Sequence, residues 1–224
     1  MSEDTGTFCI EGAQLFGGAV KCCMPALEDA LTGLPFEAAG TRLHGITALR
    51  PLLAMSGCVG AIAANVLGPS AKPVRAILFN KSSETNWGLG WHQDRTICVK
   101  ERREIKGFGP WTTKRGMIHV APPFHLLAQM VTLRVHLDDV PETNAPLLIA
   151  PGSHKLGRVP VDQIDEAVER CGIHACLANA GDAWLYATPI LHASDASTSP
   201  KSRRVLQVDY AAFDLPGGLE WLGV

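Results

Sequence analysis

Trp91-His92-Gln93-Asp94 places an imidazole and a carboxylate at positions i and i+2. On an extended strand both side chains emerge from one face, close enough to grip a single metal ion. A third ligand closes the set. Ile190-Leu191-His192-Ala193-Ser194 supplies it in another apolar, β-like context, and a basic pair follows at Arg203-Arg204. A lone histidine on an apolar strand is more often packed core than ligand. An H-x-D, a distant strand histidine and a downstream arginine together leave little room for accident. Trp91 has the opposite parity to His92 and reads as core packing.

Outward from this stretch, the chain from Val74 onward breaks into short apolar runs bounded by turn residues, the pattern of an all-β core. Strands are predicted at 74–80, 91–99, 117–119, 130–137, 147–150, 174–177, 183–186, 190–194 and 204–211. Turn-rich connections fall at 81–86, 141–144 and 151–157. So many short strands in one domain mean a sandwich or a jelly roll. The segment from Lys100 to Pro123 is rich in Lys, Arg, Gly and Pro and holds one short strand-like run, so it is a candidate lid over the site.

The first third reads as helical. Pro25 occupies a first turn, Met24, Leu27 and Leu31 repeat at helical spacing, and Gly33-Leu34-Pro35 is a stop. A second helix has Ser56 as N-cap, a stripe of Val59, Ile62, Ala63, Val66 and Leu67, and Gly68-Pro69 at its end. A third, between strands, has Asp162 as N-cap, Ile164, Ala167 and Val168 inward, and Gly172 as terminator. The expected architecture is mainly β with flanking helices: one domain over 1–224, with 1–72 a mostly helical layer and 73–212 the jelly-roll core.

The chain has 224 residues, a formal charge of −2 and 46% apolar content. Those values describe a soluble globule and exclude a basic nucleic-acid footprint or a disordered tail. Seven cysteines show no CxxC pair and are expected to be reduced thiols in a cytoplasmic protein. The start, Met1-Ser2-Glu3-Asp4, has no signal-peptide character, and no apolar run approaches the ~18 residues of a membrane helix. Leu222-Gly223-Val224 is no peroxisomal address. Oligomeric state is not readable.

Two histidines and a carboxylate with open positions suit non-haem Fe(II) oxygenase chemistry. Catalytic zinc more often draws on three histidines, or two and a glutamate, at other spacings. O2 activation at Fe(II) needs electrons that a 2-oxo acid can supply. Such a co-substrate chelates the metal at one end and offers its far carboxylate to a fixed guanidinium. Arg203 or Arg204 takes that role, not both, because strand neighbours face opposite ways; the other is expected to be solvated. Arg95, Trp111 and His119, with Lys106, Lys114 and Arg115 beside them, are candidates for contact with an anionic or aromatic substrate.

Trp91-His92-Gln93-Asp94, the run from Asn144-Ala145-Pro146-Leu147 to Pro151-Gly152-Ser153-His154-Lys155, and His192-Ala193-Ser194 followed by Ser202-Arg203-Arg204-Val205-Leu206 resemble the phytanoyl-CoA dioxygenase family from about Val74 to Tyr210. The resemblance implies a double-stranded β-helix, or cupin-like jelly roll. It also implies Fe(II) on His92, Asp94 and His192, 2-oxoglutarate as co-substrate, and O2. It selects Arg203 as the co-substrate arginine, matches Ser194 to a hydroxyl on the same carboxylate, and matches Asn80 to a co-substrate asparagine. Arg134 stands where relatives carry an aromatic residue, a departure that adds a cation or a substrate contact. His154 is expected to be structural.

The carboxylate of Asp94 favours hydroxylation, or the related desaturation or cyclisation, over halogenation. The implied activity is hydroxylation of an unactivated C–H of a small metabolite or natural-product intermediate, with release of succinate and CO2. A short chain without a peroxisomal signal favours this over an acyl-CoA 2-hydroxylase. The readings from other classes are a zinc- or iron-dependent isomerase or hydrolase, and a cupin-like protein that binds a metal or small ligand without turnover.

Overall fold

The computed structural model describes residues 5–34, 40–81, 85–199, 201 and 203–224. Expectations placed on Met1-Ser2-Glu3-Asp4, Pro35, Ser82-Ser83-Glu84 and Ser202 lie outside the described residues. In chain order the strands are β1 (Ala13–Phe16), β2 (Gly40–Leu43), β3 (Lys72–Lys81), β4 (Leu89–His92), β5 (Ile97–Val99), β6 (Trp111–Lys114) and β7 (Met117–Val120). They continue as β8 (Val131–His136), β9 (Leu147–Ile149), β10 (His174–Cys176), β11 (Ala183–Ala187), β12 (His192–Ser194) and β13 (Arg203–Ala211). The α-helices are α1 (Thr5–Glu11), α2 (Met24–Leu31), α3 (Arg50–Leu53), α4 (Gly60–Leu67), α5 (Phe124–Leu127) and α6 (Ile164–Cys171).

A six-stranded antiparallel sheet runs β1-β11-β8-β13-β3-β2, and a four-stranded one runs β10-β9-β12-β4. Strand parity divides the large sheet into two faces. Ala76, Leu78, Leu133, Val135, Leu206 and Val208 join Leu27, Leu31, Leu53, Val59 and Ile62 in the core beneath the helices. Each such aliphatic side chain contributes roughly 1.5–3 kcal/mol when fully buried. The alternate residues, Arg75, Ile77, Phe79 and Lys81 on β3, Thr132, Arg134 and His136 on β8, and Arg203, Val205, Gln207 and Asp209 on β13, face the other way. A face carrying that many buried polar groups is built for something other than packing.

Several sequence expectations change. The first 72 residues are not all helix, because β1 and β2 form the two edges of the large sheet. Four-residue edge strands carry too little alternation to register as a pattern. Neither expected cap forms. Val59 and Gln163 hold the N-cap positions of α4 and α6 without side-chain hydrogen bonds, each preceded by turns that carry the chain past Ser56 and Asp162. Gly68 and Gly172 do end their helices, at φ 80° and 75°.

The expected strand 91–99 is two strands, β4 and β5, broken at 93–96. The segment from Lys100 to Pro123 is not an irregular loop; β6 and β7 form a hairpin that pairs with β5 in a three-stranded sheet. Trp111, Ile118 and Val120 pack there against Leu126, Leu215 and Leu219. Trp91 packs on Ala150, Ile164 and Leu191, as its parity predicts.

Two cysteines are not reduced thiols: Cys23 and Cys58 form a disulfide across 35 residues of sequence. No short motif announces it, because the pairing depends on folding the turn before α2 onto the one before α4. It also removes the observation on which a cytoplasmic location rested. In the chain-entropy account a loop of this length is worth about 4 kcal/mol. Reduction is therefore expected to lower stability by about 2–4 kcal/mol, measured as the difference in urea unfolding between oxidised and reduced protein. Coincident unfolding curves would remove the bridge from the stabilising set. Among the described residues no helix is long and apolar enough to cross a membrane.

Candidate active site

His92 and His192 are direct register partners on β4 and β12, with ring centroids 4.3 Å apart. Their Nδ1 atoms lie 2.8 Å from the Gly90 carbonyl and 2.9 Å from the Ile190 carbonyl. A carbonyl only accepts, so each Nδ1 carries the proton and each Nε2 is left with its lone pair for a metal. Asp94 joins them from just beyond the end of β4: one donor atom from each of the three residues lies within 4.8 Å of the others. The same-strand argument for Asp94 is thus corrected, yet the convergence it predicted is present. A donor set of two imidazole Nε2 atoms and a carboxylate fits a divalent metal.

Gln93, the middle residue, explains how the chain turns there. It is buried, its Nε2 donates to the carbonyls of Gly157 (2.9 Å) and Pro189 (2.8 Å), and its Oε1 accepts from Val159 N–H (3.0 Å). These bonds replace the broken strand ladder and pin the backbone on either side of the ligands. Behind Asp94 lies Arg75. Its Nη2 approaches Asp94 Oδ2 at 3.4 Å, while its Nε donates to Asp209 Oδ2 at 2.5 Å; Thr132 Oγ1 donates to Asp209 Oδ1 at 3.1 Å. Burial alone would raise the Asp94 carboxyl, but Arg75, with His192 and His92, outweighs it and holds Asp94 below the usual carboxylate range. Burial first, and then His92, pushes the His192 imidazole down to about 4. Asp94 is therefore ionised and His192 neutral at pH 7, the states a metal requires.

Arg203 is 2% exposed. Its Nη1 donates to the Ala145 carbonyl, and its Nε has no hydrogen-bond partner. Ser194 Oγ also points at Ala145 O, at 3.4 Å, and accepts from Lys81 Nζ at 2.9 Å. The carbonyl they share belongs to a non-glycine residue at φ 50°, a costly conformation of the kind that collects at functional sites. Arg204 is not solvated, as expected, but paired with Asp138 and Glu28, both at 2.7 Å. This couples β13 to α2. Asn80 is the register partner of Arg204, on the face turned away from Arg203; Lys81 occupies the parity facing the site. The expectation for Asn80 missed by one residue, because nothing in the sequence fixes the register of β3 against β13.

Arg134 lies on the inner face. Its Nε donates to Gln207 Oε1 (3.2 Å) and Tyr186 OH (3.3 Å), and its guanidinium rests over the Phe79 ring at 5.3 Å. Tyr186 in turn stands 5.8 Å from the His192 ring. The three substrate candidates separate. Arg95 donates to the Val159 carbonyl (2.6 Å), and Trp111 sits in the hairpin cluster under Arg102. His119 is fully buried on β7, with Nδ1 at 3.0 Å from Met117 O and Nε2 unpartnered. Burial pushes its imidazole down, and Arg75 and Arg42 push the same way. His154 is structural: a Cβ at Gly12 (φ 76°) would sit 2.2 Å from its ring. A surface cavity of about 550 Å³ between Leu15, Asp139, Leu177 and Lys201 contains none of the three candidate ligands.

A family model described as Phytanoyl-CoA dioxygenase (PhyH) matches residues 58–205, which contain the whole triad and Arg203. The chain belongs to this family. A curated relative, ectoine dioxygenase of Halomonas elongata, is 28% identical over 138 residues, covering 52% of this chain and 35% of the relative. The PhyH-family chain thus spans about a third of the length of the curated relative it matches.

Solved structures share the fold. EctD from S. alaskensis with 2-oxoglutarate and 5-hydroxyectoine has a TM-score of 0.67 at 17% identity, covering 100% of this chain and 80% of that one. HygX from Streptomyces hygroscopicus with nickel and 2-oxoglutarate has a TM-score of 0.64 at 15% identity, covering 94% and 87%. The epimerase SnoN from nogalamycin biosynthesis has a TM-score of 0.64 at 15% identity, covering 96% and 89%. The architecture of the PhyH-family chain is therefore a jelly roll, one of the two folds its strand spacing allows and the one the family resemblance implies. Sequence reasoning missed Arg75, Asp209, Gln93, Lys81, Tyr186 and Gln207. Of these, Gln93 alone was legible, as a polar residue whose parity points it into apolar surroundings.

Proposed function

We propose that the chain is an Fe(II)- and 2-oxoglutarate-dependent oxygenase that hydroxylates an unactivated C–H of a small metabolite or natural-product intermediate. One observation carries the reading: a two-histidine, one-carboxylate donor set and a buried guanidinium face the same interior. Bound ferrous iron with 2-oxoglutarate supplies an O2-driven two-electron oxidation that releases succinate and CO2. His92, Asp94 and His192 would hold the metal on one side, leaving the other open. Arg75 keeps the Asp94 carboxylate ionised and oriented. Arg203, whose Nε is without a partner, would grip the far carboxylate of the co-substrate, with Ser194 Oγ beside it. His192 and Arg203 are both shielded from bulk solvent.

Asp94 supplies a carboxylate where a halogenating relative carries a small residue, which supports hydroxylation. His119 Nε2 and Trp111 Nε1, both buried and without a hydrogen-bond partner, remain candidates for substrate contact; Arg95 is held by the Val159 carbonyl. In the anaerobic protein, Fe(II) and 2-oxoglutarate are expected to give the visible charge-transfer band of a chelated 2-oxo acid, and admission of O2 to give succinate. No band from folded, metal-loaded protein would sink the reading. Stimulation of succinate release by candidate metabolites identifies the substrate, and the named relative makes ectoine the first to try.

Arg203→Ala is expected to raise the 2-oxoglutarate requirement roughly 30–150-fold, the equivalent of about 2–3 kcal/mol for a charged hydrogen bond. Fe(II) affinity should be nearly unchanged, because Arg203 touches none of the ligands. Loss of metal binding in that variant would contradict the role.

A further inference from the structure

Away from Arg203, the three-stranded sheet carries a second set of buried polar atoms. Cys98 on β5 pairs directly with His119 on β7, and their parity opposes the apolar side formed by Ile97, Val99 and Val120. The Cys98–His119 side turns toward the inner face of the large sheet at Arg75, whose Nη1 reaches the Thr96 carbonyl at 3.5 Å just before β5 begins. Arg42, on the edge strand β2, is the register partner of Ile77. It therefore shares that inner face, one strand over and two residues along from Arg75. Arg42 and Arg75 both act electrostatically on the His119 ring and on the Cys98 thiol, which places the four side chains in one neighbourhood. Arg75 Nη2 connects this neighbourhood to Asp94.

Two atoms there lack partners, and their needs are complementary. Arg42 Nε is buried with no acceptor. His119 is 0% exposed, and its Nδ1 lies 3.0 Å from the Met117 carbonyl. The proton is therefore on Nδ1, and the buried Nε2 holds a lone pair with no donor. Leaving such atoms unpaired is costly. Arg115, at the hairpin turn, acts on Arg42, and Lys114 beside it acts on His119. Among the described residues no carboxylate forms an ion pair with Arg42, Lys114, Arg115 or His119. Burial first, and then Arg75 and Arg115, pushes the Arg42 guanidinium down. These surroundings favour an anion and disfavour a cationic donor.

We propose that Arg42 and His119 are the recognition site for the substrate, a small organic acid whose carboxylate accepts from Arg42 and whose neutral hydroxyl or amide N–H donates to His119 Nε2. The rest of the acid then points past Arg75 toward the candidate metal ligands. The assignment deepens the oxygenase reading above and rests on it only in calling the acid a substrate.

The test uses the full-length protein stripped of metal by a chelator, with 2-, 3- and 4-hydroxybutyrate as probes and butyrate and 1,3-butanediol as comparators. In calorimetry the tightest hydroxybutyrate should bind about fivefold or more tighter than butyrate, and the uncharged diol should not bind. That comparison needs no variant. Arg42→Met should weaken the tightest hydroxybutyrate at least tenfold, the loss of a charged hydrogen bond. Arg203→Ala should leave its affinity unchanged, which separates this site from the co-substrate arginine. His119→Phe should erase the preference for the hydroxy acid while butyrate binds as before; a His119 that serves packing alone would leave the preference intact. The assignment is overturned by no hydroxybutyrate binding in the unmodified protein, by a smaller effect of Arg42→Met, by an equal loss in Arg203→Ala, or by a preference that survives His119→Phe. A charge-transfer band in protein loaded with Fe(II) and 2-oxoglutarate, without acid binding, would defeat this assignment alone. Acid binding without the band would defeat the proposed function and leave the acid site standing.

Discussion

Replacing Arg75 with methionine is expected to lower the unfolding free energy of the metal-free protein by about 3–5 kcal/mol, the range for breaking a buried ion pair by removing one partner. Arg75 and Asp209 are both nearly inaccessible, at 9% and 3% side-chain exposure. Burial pulls the guanidinium down, but Asp209 and Asp94 outweigh it and hold it above its ordinary value. Without Arg75, Asp209 keeps Thr132 Oγ1 and Gln207 Nε2 as neutral donors, and Asp94 loses its only cationic neighbour within 4 Å among the described residues. The double variant Arg75→Met/Asp209→Leu should recover most of the loss, since an apolar pair of similar volume often matches a buried ion pair. Urea unfolding of the three proteins measures this. A single-variant loss under about 1 kcal/mol is the behaviour of a solvated pair, and would mean that this network does not form in solution.

His192→Ala is expected to cut divalent-metal affinity by on the order of a thousandfold, about 4 kcal/mol, and to abolish succinate production. Removing a mere supporting partner of a ligand costs 10–100-fold, so removing the ligand itself must cost more. The loss reaches past the metal. The His192 ring lies against both His92 and Tyr186, so the variant also unpacks the second ligand and the tyrosine that receives Arg134. Titration with Co(II), followed by its visible spectrum, reports the affinity directly, and circular dichroism shows whether the sheets survive. Retention of metal binding within tenfold of the unmodified protein would remove His192 from the ligand set.

Much of the fold was legible because its signals are local. Turn residues at regular spacing announced the four central strands of the large sheet, β3, β8, β11 and β13, to within a residue or two, and the stripe of Ile62, Ala63 and Val66 announced α4. The candidate ligands were legible because coordination restricts residue type: few pressures other than a metal place His92, Asp94 and His192 in such settings. Arg75 was not legible. It lies in an apolar run, Val74 to Leu78, where a single arginine looks like an edge charge until β13 brings Asp209 opposite it. Lys81 and Asn80 were confused for the same reason, since a one-residue change of register exchanges the two faces of a strand. The hairpin β6–β7 was hidden by its composition, and the disulfide by its sequence separation.

By itself the sequence determined the period of the central strands, the three candidate ligands and the basic pair that follows them. Tertiary structure alone decided what each polar group faces. It set His92 directly across from His192, turned Asp94 toward them around the hydrogen bonds of Gln93, and placed Lys81, Arg134, His136 and Arg203 on one inner face. The physical reason is that side-chain type and spacing are properties of a segment. Register, parity and the pairing of buried charge are properties of two segments at once, fixed only when the sheets close.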